Sequence, residues 1–303
     1  MRAALHLDDR LRVTSETKHR DYVLTDYAPV VDPAGRLQPA SLLRGALRDA
    51  ALDRAFAPIE AALRDALGPD ETVWGLKFDS GGLQSVELYF YGFPRVPGRE
   101  DRSVSRIAGI LRGLGLDVPA GIDEALPYFM CSVDLDRDAL FGGACSGFRI
   151  YVQSGERGRK PCGISYRVDE RGHHLENHYW FYAAKTEHAD AHARLGNSPH
   201  AGAAAAHATL MRPALLDCHT ICFATKPRAD GLYFSRLTTA QLLTFLDDPR
   251  PRTSAATSHV RALLREHDAD FAHARWDLGF DFHAPSPSAH EAPIHKVGVH
   301  GIF

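Results

Sequence analysis

At 303 residues, with 35 Lys and Arg against 38 Asp and Glu, the chain is long enough for a large core and too evenly charged for a general nucleic-acid or acidic-membrane binder. The opening MRAALHLDDR turns charged too early for a signal peptide, and no apolar run approaches the ~20 residues a membrane helix needs, so no membrane partner is expected. Cys131, Cys145, Cys162, Cys218 and Cys222 form an odd set without a CxxC pair, which fits reduced thiols and a cytoplasmic location better than a disulfide framework.

Residues 1–35 are polar and weakly patterned, with VVDPAG marking a turn. Pro39 to Leu67 carries Leu and Ala at helical spacing, interrupted near Pro58, which predicts two helical segments. ETVWGLKF, the turn DSGG and QSVELYFYGF then alternate as strand, turn and strand. A helix is predicted at Ser103–Leu114, followed by the strands LPYFMCSVDLD and SGFRIYVQS. GISYRVDERGHHLENHYWFY gives a third pair, and Glu187–Leu210 reads as a helix that GNSP should interrupt. HTICFATKPRADGLYFSRL is the fourth pair, followed by helices at Thr239–Leu246 and Ser258–His267. A fifth, less regular pair spans Ala274–Ile302 around HAPSPSAHEAP. No linker is long or polar enough to divide the chain, so residues 1–303 are expected to form a single domain.

Successive strand residues point to opposite faces, so parity sorts the side chains. One parity holds Trp74, Leu76, Phe78, Leu88, Phe90, Val133, Phe148, Ile150, Ile221, Phe223, Leu232 and Phe234, and should pack against helices. The other holds Lys77, Glu87, Tyr89, Asp134, Arg149, Tyr151, Arg167, Glu176, His178, Trp180, Tyr182, Lys226, Tyr233 and Lys296. An apolar outer face and a chemically rich inner face predict an α+β architecture, a closed barrel wrapped by helices. An ordinary solvated face rarely needs so many aromatics.

Cations inside a cavity require an anion, and a diphosphate ester suits Arg and Lys donors. No GxxxxGK[ST] or GxGxxG motif is present, so nucleotide-style cradling is not expected. Aromatic faces can enclose an isoprenyl tail, stabilise an allylic cation and exclude water, and a carboxylate such as Glu87 or Glu176 could accept a proton.

The repeated helix–strand–strand order resembles the ABBA prenyltransferases over roughly Glu71 to Phe303. SGFRIYVQS resembles the family's second hairpin, which implies that Arg149 binds diphosphate. DGLYFSRLTTAQLLTFL is similar to the fourth hairpin and following helix of the cyanobactin-type peptide prenyltransferases, with Tyr233 as a lumen tyrosine, and HKVGVHGIF resembles the closing strand, with Lys296 at another diphosphate position. QSVELYFYGF resembles the first hairpin of both the peptide branch and the bacterial aromatic branch. The resemblance implies a PT-barrel of about ten antiparallel strands with a solvent-filled core.

It also implies transfer of a dimethylallyl or longer isoprenyl group from its diphosphate to an amino-acid side chain of a peptide, or alternatively to an aromatic small molecule. Arg149, Lys296, Arg167, Lys226 and Lys77 would hold the diphosphate. Tyr89, Tyr151, Trp180, Tyr182 and Tyr233 would shield the cation, with Glu87, then Glu176 or His178, handling the acceptor proton. Mg2+ is expected only through the diphosphate, because Tyr89 stands near the place where some aromatic-branch members have a magnesium-binding aspartate. Further departures are Val73, where the peptide branch carries a glutamate, Glu87, where its partner strand carries an arginine, and the span from Gln153 to Gly163, too short for the expected helix.

Other readings stay open at this point. His174, Glu176 and His178 share a predicted face and could hold a metal, although no HExxH helix occurs. Ser132, Ser165 and Ser235 lack a GxSxG setting, Cys222 reads as strand filler, and DLDRD lacks an EF-hand's length and glycine. The non-enzymatic alternative is a barrel that binds an anionic isoprenoid ligand.

Overall fold

Alternation of apolar and polar residues produces ten strands, in the order β1 (Val73–Asp79), β2 (Gly82–Tyr91), β3 (Met130–Asp136), β4 (Gly147–Ser154), β5 (Cys162–Asp169), β6 (Gly172–Ala183), β7 (Thr220–Thr225), β8 (Asp230–Leu237), β9 (Trp276–Phe282) and β10 (Ile294–Ile302). The computed structural model describes residues 11–92, 102–119, 122–145, 147–154, 162–201, 208–249, 251, 253–283 and 294–303. Each strand pairs antiparallel with its neighbour in sequence, and β1 pairs with β10 from Val73↔Ile302 to Phe78↔Val297. The sheet is therefore a closed barrel with no free edge, and helices surround it. This is the ABBA, or PT-barrel, architecture that the strand pattern implied.

Closure holds where the sequence raised doubt. β4 and β5 pair directly from Arg149↔Arg167 to Ser154↔Cys162, so the barrel needs no helix between them. Residues 155–161, which join the two strands, lie outside the described residues.

The outer parity packs beneath amphipathic helices. Helix Ala40–Asp49 buries Leu42, Leu43 and Leu47, helix Asp53–Leu67 buries Phe56, Ile59 and Leu63, and helix Ser258–Glu266 buries Val260, Leu263 and Leu264. They meet Trp74, Phe90, Phe148, Phe234, Trp276 and Phe280 in one core. Burying each such side chain contributes ~1.5–3 kcal/mol, which makes this layer the main source of stability. The expected break near Pro58 is displaced. Pro58 lies inside helix Asp53–Leu67, and the chain instead turns at Ala51, whose φ is 55°. One turn into the helix, proline removes a single hydrogen bond, and the packed face outweighs that loss.

Odd-numbered strands run from an end we call upper to an end we call lower. The irregular N-terminal segment crosses the upper end. Asp21 accepts a hydrogen bond from Arg236 Nε at 2.7 Å, Arg20 pairs with Glu71 at 2.5 Å, and the Tyr27 hydroxyl accepts from the Arg275 backbone N–H at 3.0 Å. These ties hold Tyr22 and Leu24 against the barrel's inner residues.

Candidate active site

The inner parity divides into a charged lower half and an aromatic upper half. In the lower half, Lys77 Nζ on β1 lies 2.5 Å from Glu87 Oε2 and 2.7 Å from Asp134 Oδ1. Arg149 bridges Asp134 at 2.5 Å and Glu176 at 2.6 Å, and stands 3.7 Å from Glu87. Across the barrel, Lys226 Nζ lies 2.5 Å from Asp281 and donates to the Tyr233 hydroxyl at 3.0 Å. The more exposed Arg167 pairs with Asp169 at the lower rim.

Lys296 is different. It has no carboxylate within ion-pair distance among the described residues, and burial followed by the nearby Lys77 charge lowers its pKa. A cation crowded by other cations and lacking a counter-ion of its own favours an arriving anion.

Glu87 sits where the halves meet. Its Oε1 accepts from Ser132 at 2.6 Å, and its Oε2 accepts from the Tyr89 hydroxyl at 2.5 Å. Burial pushes this carboxyl up, but Lys77 and Arg149 outweigh burial and hold it well below the usual carboxylate range. Glu87 is thus a firmly ionised anchor.

The upper half is a second packed core, where an open solvent-filled space was expected. Val73, Tyr89, Tyr91, Met130, Tyr151 and Ile302 are buried together, with Tyr22, Phe129 and Tyr179 against them. Burial pushes the Tyr89, Tyr91 and Tyr151 hydroxyls far up, so they remain neutral donors. Burial also lowers the His300 imidazole to about 4, leaving it neutral at ordinary pH. Two glycines let rings lie flat on the sheet. A Cβ at Gly279 would stand 2.4 Å from Tyr233 Cδ1, and one at Gly75 would stand 2.4 Å from the His300 ring.

Lys77, Glu87, Tyr89, Arg149, Tyr151, Arg167, Glu176, Lys226, Tyr233 and Lys296 all occupy the inner parity, as expected. His178, Trp180 and Tyr182 do not, and this corrects the reading of β6. Ser165 pairs with Asn177 while Tyr166 pairs with Leu175, so Glu176 is an inserted residue, a β-bulge. Glu176 still reaches Arg149, but beyond it every side chain switches face. Tyr182 is buried in the outer core, Trp180 stacks under Arg194 at 3.9 Å, and His178 stacks on Trp180. Tyr179 takes the inner position instead, with Asn177 donating to its hydroxyl at 2.8 Å.

The bulge also dissolves the possible metal face. His174 turns to Asp169 at 3.0 Å, Glu176 to Arg149, and His178 outward. Among the described residues no three His, Cys, Asp or Glu side chains converge on one point. Asp136 of DLDRD caps a short helix by accepting from the Ala139 N–H. Burial pushes the Cys222 thiol far up, so it is no thiolate nucleophile.

Sequence parity missed Asp277, Asp281, Tyr179 and the plugging Tyr22. WDLGFDF carries strict alternation with both aspartates on one side, which was the available signal for β9. Tyr22 had none.

No helix among the described residues is long and apolar enough to cross a membrane. No family model and no curated protein matches the chain. Solved structures similar to it include the prenyltransferase PriB in binary complex with product diphosphate, at TM-score 0.46 and 13% identity over 88% of this chain and 96% of that one. The PriB ternary complex with L-tryptophan and dimethylallyl thiolodiphosphate gives TM-score 0.46 and 12% identity, covering 86% and 93%. The PriB apo form gives TM-score 0.41 and 13% identity, covering 88% and 96%.

Proposed function

We propose that the barrel binds an isoprenyl diphosphate and transfers its prenyl group to an acceptor. The observation that carries this reading is the division of one lumen into a cation-bearing half and a ring-lined half that meet at Glu87. An isoprenyl diphosphate has the same two-part chemistry, a polyanionic head and an apolar tail.

Lys296 meets the diphosphate first, with Lys226, Arg149, Lys77 and, at the rim, Arg167 completing the seat. The C–O bond to diphosphate breaks and its electron pair stays on the leaving oxygen. Tyr89, Tyr151, Tyr179 and Tyr233 present neutral faces to the allylic cation and keep water away. The acceptor's nucleophilic atom then bonds the allylic carbon and releases a proton.

Lys77, Arg149, Lys226 and Lys296 stand against Glu87, Asp134, Glu176 and Asp281, so the protein alone leaves most of the diphosphate charge uncompensated. A diphosphate-borne Mg2+ would supply the missing charge. Asp134 and Glu176, whose side chains retain 19% and 25% exposure, are the carboxylates able to turn toward it.

The acceptor we favour is an amino-acid side chain of a peptide, following the likeness of the fourth and fifth strand pairs to the peptide branch. An aromatic small molecule is the second reading, favoured by the ring-lined upper half. Incubation of the purified protein with dimethylallyl diphosphate, a mixed peptide panel and simple phenols and indoles, read by mass, tests both. Gain of one C5H8 unit on either panel supports transfer and identifies the acceptor. Donor binding without product on both panels leaves a passive isoprenoid-binding barrel.

A further inference from the structure

A lumen that transfers a prenyl group needs somewhere for the acceptor proton to go, and Glu87 is poorly placed to take it. Both its oxygens are occupied, Oε1 by Ser132 and Oε2 by Tyr89 and Lys77. One other carboxyl on the inner parity keeps an oxygen without a partner among the described residues. Asp277 on β9 pairs across the ladder with His300 of β10 and retains only 7% exposure. Its side chain accepts from the backbone N–H groups of Arg236 and Tyr22, while its Oδ1 has no hydrogen-bond partner among the described residues.

The titratable and charged groups around Asp277 are Asp21, Tyr22 and Tyr27 of the N-terminal segment, Tyr91 of β2, Cys218 before β7, Arg236 of β8 and His300 of β10. Arg236 is the cation among them, and it is already tied to Asp21 at 2.7 Å. His300 uses Nδ1 on the Asp277 backbone carbonyl at 3.1 Å and not on the Asp277 side chain. A buried carboxyl oxygen without a donor, beside the Tyr22, Tyr27 and Tyr91 side chains, is a seat for an N–H or O–H group brought by a ligand.

Resting on the prenyl-transfer reading above, we infer that Asp277 receives the acceptor's N–H or O–H and takes its proton, while Glu87 serves as a fixed anion at the donor end. As the acceptor's electron pair forms the bond to the allylic carbon, the proton leaving the acceptor passes to the Asp277 carboxylate. Solvent later removes it. The substrate class that follows is an acceptor with a polar hydrogen on or beside its nucleophilic atom, such as an indole, phenol or amine, rather than a purely carbon nucleophile. Burial, and then the Asp21 charge, push the Asp277 acid well above its ordinary value of 3.8. In its ionised form a carboxylate shifted that way is the stronger base, whereas Glu87 is shifted the other way.

The test compares Asp277→Asn with Glu87→Gln in the full chain, after circular dichroism has verified folding. Asp277→Asn is expected to lower transfer by about 10²- to 10⁴-fold while leaving dimethylallyl diphosphate affinity unchanged. Glu87→Gln is expected to alter donor affinity. An independent readout follows protonation. The folded state holds the Asp277 proton to higher pH than the unfolded chain, so wild-type stability falls as pH rises above 3.8. Asp277→Asn should therefore melt higher than wild type at about pH 8 and together with it at about pH 3.

Transfer retained within a few-fold in Asp277→Asn would overturn the assignment. If that variant does not fold, Asp277→Glu decides, since a base displaced by ~1 Å costs on the order of 10²-fold, and unchanged turnover would rule it out. If wild-type protein transfers to no acceptor although Asp277→Asn shows its stability gain, the transferase reading fails and the base assignment falls with it.

Discussion

The two halves of the lumen are built from the same alternation but held together by opposite physics. In the lower half Lys77, Arg149 and Lys226 are each locked to carboxylates contributed by other strands, and removing any one leaves a partly buried charge exposed to its neighbours. In the upper half tyrosines, Met130, Val73 and Ile302 exclude water, with the N-terminal Tyr22 closing the group at 5.0 Å from Tyr89 and 5.3 Å from His300. The lower half trades stability for the ability to rearrange around an anion. The upper half contributes stability outright, and among its described residues Asp277 keeps one carboxyl oxygen without a partner.

Arg149→Ala should do most to erase that difference. It takes the cation from Glu176 and leaves Glu87 and Asp134 to share Lys77, so we expect a loss of about 3–5 kcal/mol in chemical denaturation together with loss of donor binding. Lys296→Ala is the counterpart. With no carboxylate paired to it among the described residues, stability should stay level while calorimetric affinity for dimethylallyl diphosphate weakens by about 1.5–3 kcal/mol. Equal destabilisation by both substitutions would mean that the lower half has no spare cation.

Gly279→Ala addresses the boundary from the ring side. The added methyl would sit 2.4 Å from Tyr233 Cδ1, so the ring must tilt away from Lys226, at a cost of about 1–3 kcal/mol in melting experiments. Acid sharpens the contrast further. His300 is held neutral down to about 4 by burial, against an ordinary value of 6.5. Between these values the unfolded chain binds the extra proton, so stability present above pH 6.5 is lost as pH falls toward 4, by up to ~1.4 kcal/mol per pH unit. His300→Gln should flatten that part of the pH–stability curve, and an unchanged slope would place the imidazole in water. His178→Ala should do least. With its ring on the outer face against Trp180, donor binding and transfer should match wild type, and a large loss would put β6 back in its unbulged register.

Much of this was legible from residues 73–302 because alternation is written locally. Trp74, Leu76 and Phe78 on one side, with Lys77 between them, need no knowledge of the rest of the fold. HHLENHYWFY was the failure. Polar and aromatic residues fall on both parities there, so nothing in the ten letters reveals that Glu176 is an extra residue, and each assignment beyond it was inverted. The lumen cations were placed correctly, but their neutralisation was not foreseen. Asp134 lies 57 residues from Lys77, and Asp281 lies 55 from Lys226.

The sequence by itself determined that ten strands exist, which face of most of them is apolar, and which side chains were available for the interior, because a period of two is a property of the chain alone. Only the tertiary structure decided that the sheet closes, that β6 shifts its parity at Glu176, and that among the described residues Lys296 lacks a carboxylate partner and Asp277 Oδ1 lacks a donor. Those outcomes depend on register and on distances between strands far apart in sequence, and Coulomb and hydrogen-bond energies are set by position in space rather than order along the chain.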